Sequence, residues 1–268
     1  MSELYGFELD RDGLHRSLGD GFPKGLIGLV IGEYGAGKSA IMQRLTYGFL
    51  ENDVTVTYIS TELTTKGFID QMKSLDYPVV KHLLSGDLLF IPVYPLIGKA
   101  IPRDEFLDKL MESKQLYDRE VLVIDTFSSL TKKDLKGSRS LQVLSFFKKL
   151  TALNKTIILT IDKDEVPEHV LAPFQSDSEV YITIKKAVFE GASTRTMNVH
   201  RFGKTLNPIT DAITRTEGCS FSQNSPFTAH SCAPSSSAVP ASTSHVVAST
   251  SSTLPDCSAP SCAVYRRV

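Results

Sequence analysis

The run Gly32-Glu33-Tyr34-Gly35-Ala36-Gly37-Lys38-Ser39 constrains this chain more than any other feature, because it meets G-x-x-x-x-G-K-[ST] at every fixed position. A short apolar stretch, Gly28–Gly32, precedes it. An amphipathic pattern over Lys38–Leu50 follows, carried by Ile41, Met42, Leu45 and Phe49. Strand, glycine-rich turn and helix in that order gather backbone N–H groups and a helix N-terminus around one point, which favours a bound phosphate. Gly32 through Ser39, with Ala40 in the first turn of the helix, are the expected nucleotide-binding segment. Lys38 is expected to reach the β- and γ-phosphates and to stabilise charge during transfer, and Ser39 to offer an oxygen to Mg²⁺. A glycine-rich turn whose lysine merely faces solvent is the bland alternative, and the complete motif in its proper context weighs against it.

Downstream, apolar and amphipathic segments alternate. Val54–Ser60, Leu88–Val93, Val121–Ile124 and Thr156–Thr160 read as strands; Thr65–Leu75, Asp104–Ser113 and Leu141–Leu153 read as helices. Apolar strands separated by helices predict an α/β fold with a mostly parallel central sheet covered on both faces. Glu179–Lys185 and Arg195–Arg201 alternate around Gly191 and predict a C-terminal β-hairpin.

Acidic residues fall where strands end. Asp125 closes VLVID and is expected to orient Mg²⁺ through water, although a turn cap would use the same residue. Glu62 follows YIST; if its strand neighbours the other two, it could polarise an attacking water, the alternative being a helix-capping role. Thr61 and Thr160 are candidates for loop positioning and γ-phosphate sensing, with ordinary turn and strand capping equally open.

The segments GEYGAGKSAIMQRLTYG, YISTELTTKGFIDQM, VLVIDTFSSL, TIILTIDKD and NVHRFGKTLNPITDAI, spread over about residues 5–215, resemble the RecA-fold, KaiC-like P-loop ATPases. Within that family the wording is most similar to the accessory ATP-binding proteins of the archaellum, the archaeal flagellum. The resemblance implies a RecA-like NTPase domain that uses ATP and Mg²⁺. It also implies a regulatory and structural role in motility, with association to the archaellum motor ATPase and the membrane platform protein. A cytoplasmic protein recruited peripherally to the archaellum base, as a homo-oligomer or hexameric ring, is implied too. KaiC domains carry an adjacent acidic pair where this chain has Thr61-Glu62, so hydrolysis is expected to be weak or partner-dependent. An active KaiC- or RecA-like ATPase, linked to DNA, is the alternative. Arg201 and Lys204 occupy the region from which a basic residue can reach a neighbouring subunit's nucleotide; a solvated hairpin charge is equally open for either. His200 reads as a strand or surface residue.

Charge and cysteine usage divide the chain. Lys and Arg total 29 against 30 Asp and Glu, a net charge of −1, which offers no general drive toward nucleic acid or anionic membrane. No stretch has the length and apolarity of a membrane span or the pattern of a signal peptide. Residues 1–218 are expected to form the ATP-binding domain. Residues 219–268 hold all 4 cysteines, 14 serines and only three charged side chains, Asp256, Arg266 and Arg267. Such a tail buries little apolar area and is expected to be disordered. A natural linker, a binding segment and the product of an altered reading frame near residues 215–220 all fit it; translating the other two frames would separate them.

Overall fold

The computed structural model describes residues 4–93, 106–131, 138–189, 192–203 and 220–222, all within one unit, Met1–Cys232. An N-terminal strap comes first: β1 (Leu4–Tyr5), α1 (Leu14–Ser17) and β2 (Phe22–Pro23), with β1 and β2 paired antiparallel. Then follow β3 (Ile27–Gly32), α2 (Lys38–Glu51), β4 (Val56–Ser60), α3 (Thr65–Ser74), α4 (Val80–Ser85) and β5 (Leu88–Pro92). The second half holds α5 (Phe106–Glu112), β6 (Val121–Asp125), α6 (Phe127–Thr131), α7 (Ser138–Thr151), β7 (Thr156–Asp162) and α8 (Glu168–Asp177). The hairpin strands β8 (Val180–Phe189) and β9 (Ala192–Phe202) and the short β10 (Ser220–Ser222) complete it.

The main sheet has the order β10-β9-β8-β3-β7-β6-β4-β5. β8, β3, β7, β6, β4 and β5 are parallel neighbours, and β9 and β10 add antiparallel at one edge. Period-2 alternation sends opposite residues of each strand into two different cores. Val30, Val56, Tyr58, Val121, Val123 and Ile158 pack with α2, α3 and the strap. Leu29, Ile31, Ile59, Leu122, Ile124 and Ile157 pack with α5, α7 and α8 on the other face. Because β3, β4, β6 and β7 are buried along their whole length, they read as continuous apolar runs rather than as half-polar strands.

Every strand and helix anticipated from the sequence is present, with ends shifted by a few residues. The helices α1, α4, α6 and α8 and the strap strands had not been anticipated; in α8 an internal Pro173 disguises a helix that buries Val170, Leu171 and Phe174. The strand that ends before Glu62 neighbours only one of the two strands on which its role was conditioned. β7 lies between β3 and β6, and β4 lies beyond β6, so neither acidic strand touches the phosphate-loop strand directly. Of the tail, only Ser220–Ser222 falls among the described residues, paired antiparallel with Thr194–Thr196. The rest of the tail, with its four cysteines, lies outside them, as do Lys204 and the NPITDAI segment.

Candidate functional site: the phosphate loop and its acidic hub

All the parallel strands point their C-terminal ends the same way, so the turns after β3, β4, β6 and β7 share one rim. Ligands of open α/β sheets bind on that rim. The loop between β3 and α2 needs its glycines. A Cβ on Gly32 would sit 2.6 Å from the carbonyl oxygen of Ile184, and Gly37, the residue before α2, has φ of 100°. Glu33, Tyr34 and Gly35 are exposed at the loop crest, Ala36 is buried in the core beneath it, and Ser39 and Ala40 are half-buried at the start of α2.

Lys38 is buried, and its Nζ donates to the carbonyl oxygens of Gly32 and Glu33, each at 2.9 Å, and to Asp162 Oδ2 at 3.2 Å. Ser39 Oγ donates to Asp125 Oδ1 at 3.1 Å. Asp125 also accepts from Thr160 Oγ1 on β7 at 2.9 Å and from Tyr58 OH on β4 at 2.9 Å. One buried carboxylate thus ties α2 to β4 and β7. Burial pushes the Asp125 carboxyl up, and the three hydroxyl donors and the Lys38 charge offset only part of that. The Tyr58 phenol, wholly buried beside the same carboxylate, is pushed well up.

Thr126 follows Asp125 with φ of 60°, a costly conformation for a β-branched residue. Its N–H donates to Thr160 Oγ1 at 2.6 Å, so the hydroxyl that orients Asp125 also holds the strained turn. Glu62 lies exposed at the end of β4, and its carboxylate makes no hydrogen bond to another described residue. Its carboxyl is raised by partial desolvation and then by Asp125, Glu165 and Asp162, against a lowering influence from Lys38. Thr61 is buried and meets Ser129 Oγ at 3.2 Å.

The rim therefore brings together Lys38, Ser39, Asp125, Thr160 and Glu62, although on strands that are not all neighbours. Neither Tyr58 nor Asp162 stands out in the sequence as a site residue. Tyr58 looked like an apolar strand residue, and its hydroxyl shows its purpose only once β4 is set beside β6. Asp162 stands two residues beyond Thr160, where the strand had been expected to stop. Arg201 is exposed, and its Nη1 donates to the carbonyl oxygens of Ser176 and Ser178, with that of Gln175 also near, capping the C-terminus of α8 in its own chain. His200 is exposed, stacked on Tyr181 with ring centroids 4.7 Å apart and 2.8 Å from Thr183 Oγ1. These residues line a cavity of about 300 Å³ between α8 and β8 that reaches Gly32 and Glu33.

Among the described residues no group of three or more His, Cys, Asp or Glu side chains could hold a metal alone. Ser39 and Asp125 nonetheless fit Mg²⁺, which is held by one or two protein oxygens and completes its shell with phosphate oxygens and water. No helix among the described residues is long and apolar enough to cross a membrane.

A glycine-rich loop feeding a buried lysine into α2, and an aspartate ending a buried strand beside it, define a RecA-type P-loop domain. The family model "ATPase: KaiC" matches residues 11–209. The archaeal flagellar ATP-binding protein FlaH of Methanocaldococcus jannaschii is 43% identical over 191 residues, covering 71% of this chain and 82% of the relative. FlaH of Methanococcus voltae is 34% identical, covering 75% and 88%. The crystal structure of the M. jannaschii flagellar accessory protein FlaH superposes with a TM-score of 0.69 at 40% identity, covering 75% of this chain and 88% of that one. A KaiC-like protein from Pyrococcus horikoshii shares the fold at 17% identity, with a TM-score of 0.59 over 77% of this chain and 91% of its own. The chain belongs to the FlaH family of KaiC-like, RecA-fold proteins.

Proposed function

We propose that this chain binds ATP with Mg²⁺ at the phosphate loop and acts as a nucleotide-responsive regulatory and structural component of the archaellum. In this reading its partners are the motor ATPase and the membrane platform protein. It works in the cytoplasm at the archaellum base, as a homo-oligomer or hexameric ring. The observation that carries the reading is the joining of Lys38, Ser39 and Asp125 at one rim in a chain of the FlaH family. Loop N–H groups and Lys38 would neutralise phosphate charge, and Ser39 and Asp125 would hold the cation, which supplies further charge neutralisation at the β- and γ-phosphates.

A specific feature favours binding over rapid turnover. A general base must be held within hydrogen-bond reach of its water, directly or through neighbours. Glu62 is exposed, and among the described residues no hydrogen bond orients its carboxylate for that task. The isolated protein is expected to hydrolyse ATP more slowly than about 1 s⁻¹, below the usual enzyme range, with no stimulation by single-stranded DNA. Robust turnover that falls by about 10²-fold or more in Glu62→Gln would instead support an active KaiC- or RecA-like ATPase.

The same variant has a stability signature. Glu62 is raised by desolvation and by Asp125. Its contribution to stability is present below the ordinary glutamate range and is lost as pH rises through the raised value. Glu62→Gln carries no charge to repel, so at neutral pH thermal unfolding should occur at the wild-type temperature or slightly above it. A clearly lowered unfolding temperature would show that the carboxylate has a supporting role.

A further inference from the structure

Lys38 has three N–H donors, and the fold commits all of them to the protein itself. Two go to loop carbonyls that can keep their bonds when a phosphate lies beyond them. The third goes to Asp162, and both side chains are almost wholly enclosed, 9% and 8% exposed. Asp162 sits opposite Gly32 across the β3–β7 ladder, at the foot of the phosphate loop. Its place is fixed from several sides. Its Oδ1 accepts from the N–H of Asp164 at 3.2 Å, and its own N–H donates to Ser128 Oγ at 3.0 Å. The Ser128 hydroxyl in turn donates to Glu165 at 2.8 Å.

We propose that Asp162 is a specificity-determining residue of this site: its carboxylate stands in for a terminal phosphate on Lys38, and a nucleoside triphosphate binds by displacing it. The proposal rests on the ATP-binding reading above. A triphosphate brings a highly charged γ-phosphoryl group to Lys38. The displaced carboxylate is then left beside that group, out of bulk water and without its cation, which costs free energy. A diphosphate presents only its β-phosphate to Lys38 and has no γ-phosphoryl group to take the place of the Asp162 carboxylate. Asp162 therefore weakens triphosphate binding relative to diphosphate binding. Displacement also frees the turn from Asp162 to Glu165, which reaches α6 through Ser128 and runs through Val166 and Pro167 into α8. Nucleotide state thereby reaches two helices on the face of the sheet opposite α2.

Calorimetric titration of the full chain with MgATP and with MgADP tests this, in the wild type and in Asp162→Asn. The amide keeps an acceptor for Asp164 while removing the charge. We expect ATP to bind about tenfold tighter in the variant, a difference of about 1.4 kcal/mol, while ADP affinity changes by less than about twofold. Hydrogen exchange at Asp164 and Glu165 should speed up in the wild type on adding MgATP and not on adding MgADP. An ATP-to-ADP affinity ratio that stays level or falls in Asp162→Asn overturns the proposal while leaving ATP binding standing. Failure of the folded wild type to bind either nucleotide overturns both.

Discussion

Arg44→Ala is expected to lower the free energy of unfolding by about 3–5 kcal/mol, the usual cost of breaking a buried ion pair from one side. Arg44 lies in the middle of α2 with 0% of its side chain exposed, and its partner Asp12, on the strap, is 1% exposed. Nε and Nη2 donate to the two oxygens of that carboxylate at 2.7 and 2.6 Å, and Nη1 donates to the carbonyl oxygen of Phe7 at 2.8 Å. The helix makes room for this fork one turn later. A Cβ on Gly48 would lie 2.4 Å from Arg44 Nη1 and 2.6 Å from the Phe7 oxygen, so only glycine fits. Truncating Arg44 leaves Asp12 charged and buried with its cation gone, and unclamps the strap from the back of the helix that begins with Lys38. Denaturant unfolding measures the loss. The exposed pair Lys81–Glu51 is the control, since Lys81→Ala should leave the unfolding midpoint nearly unchanged. A loss below about 1 kcal/mol for Arg44→Ala would show that the strap is not integral to the fold.

Lys38→Ala is expected to weaken MgATP binding by about 30-fold or more, since removing one partner of an enclosed charge pair costs about 2–5 kcal/mol. Lys38 is the buried cation at the phosphate loop, and without it the γ-phosphoryl group would lose that charge while still facing Asp162, Asp125 and Glu62. The same substitution leaves Asp162 enclosed without its counter-ion, so the nucleotide-free variant should also unfold at a lower temperature. Titration of folded Lys38→Ala at saturating Mg²⁺ checks the first effect, and thermal unfolding without nucleotide checks the second. Affinity within about threefold of wild type would mean that the phosphates are held elsewhere.

These two arginine and lysine positions show what was legible in the sequence. Lys38 is named by a motif whose spacing encodes a loop, so its place could be read from local order alone. Arg44 sits in an amphipathic helix where a charge ordinarily marks the solvent side; its burial depends on Asp12 and Phe7, which the chain brings from the N-terminus. Asp125 was legible because an aspartate closes four apolar residues. Its bonds to Tyr58 and Thr160 were not, because they require the β7-β6-β4 order, which no local pattern specifies. Asp162 was hidden in the same way: the Lys38–Asp162 pair exists only because β7 lies beside β3. Arg201 carried a possible role toward a neighbouring subunit, and the packing of α8 against the hairpin gave its guanidinium a partner within the chain. Local periodicity thus located the strands and the phosphate loop, and the order of strands in the sheet decided which side chains share the rim.

The proposed function requires that nucleotide occupancy control association with the archaellum motor ATPase. Capture of the purified motor ATPase by this chain, with and without MgATP and with Lys38→Ala as control, tests it most directly. MgATP is expected to change the captured amount severalfold for the wild type and not for Lys38→Ala. Equal capture by the wild type with and without MgATP, or none under either condition, would contradict it.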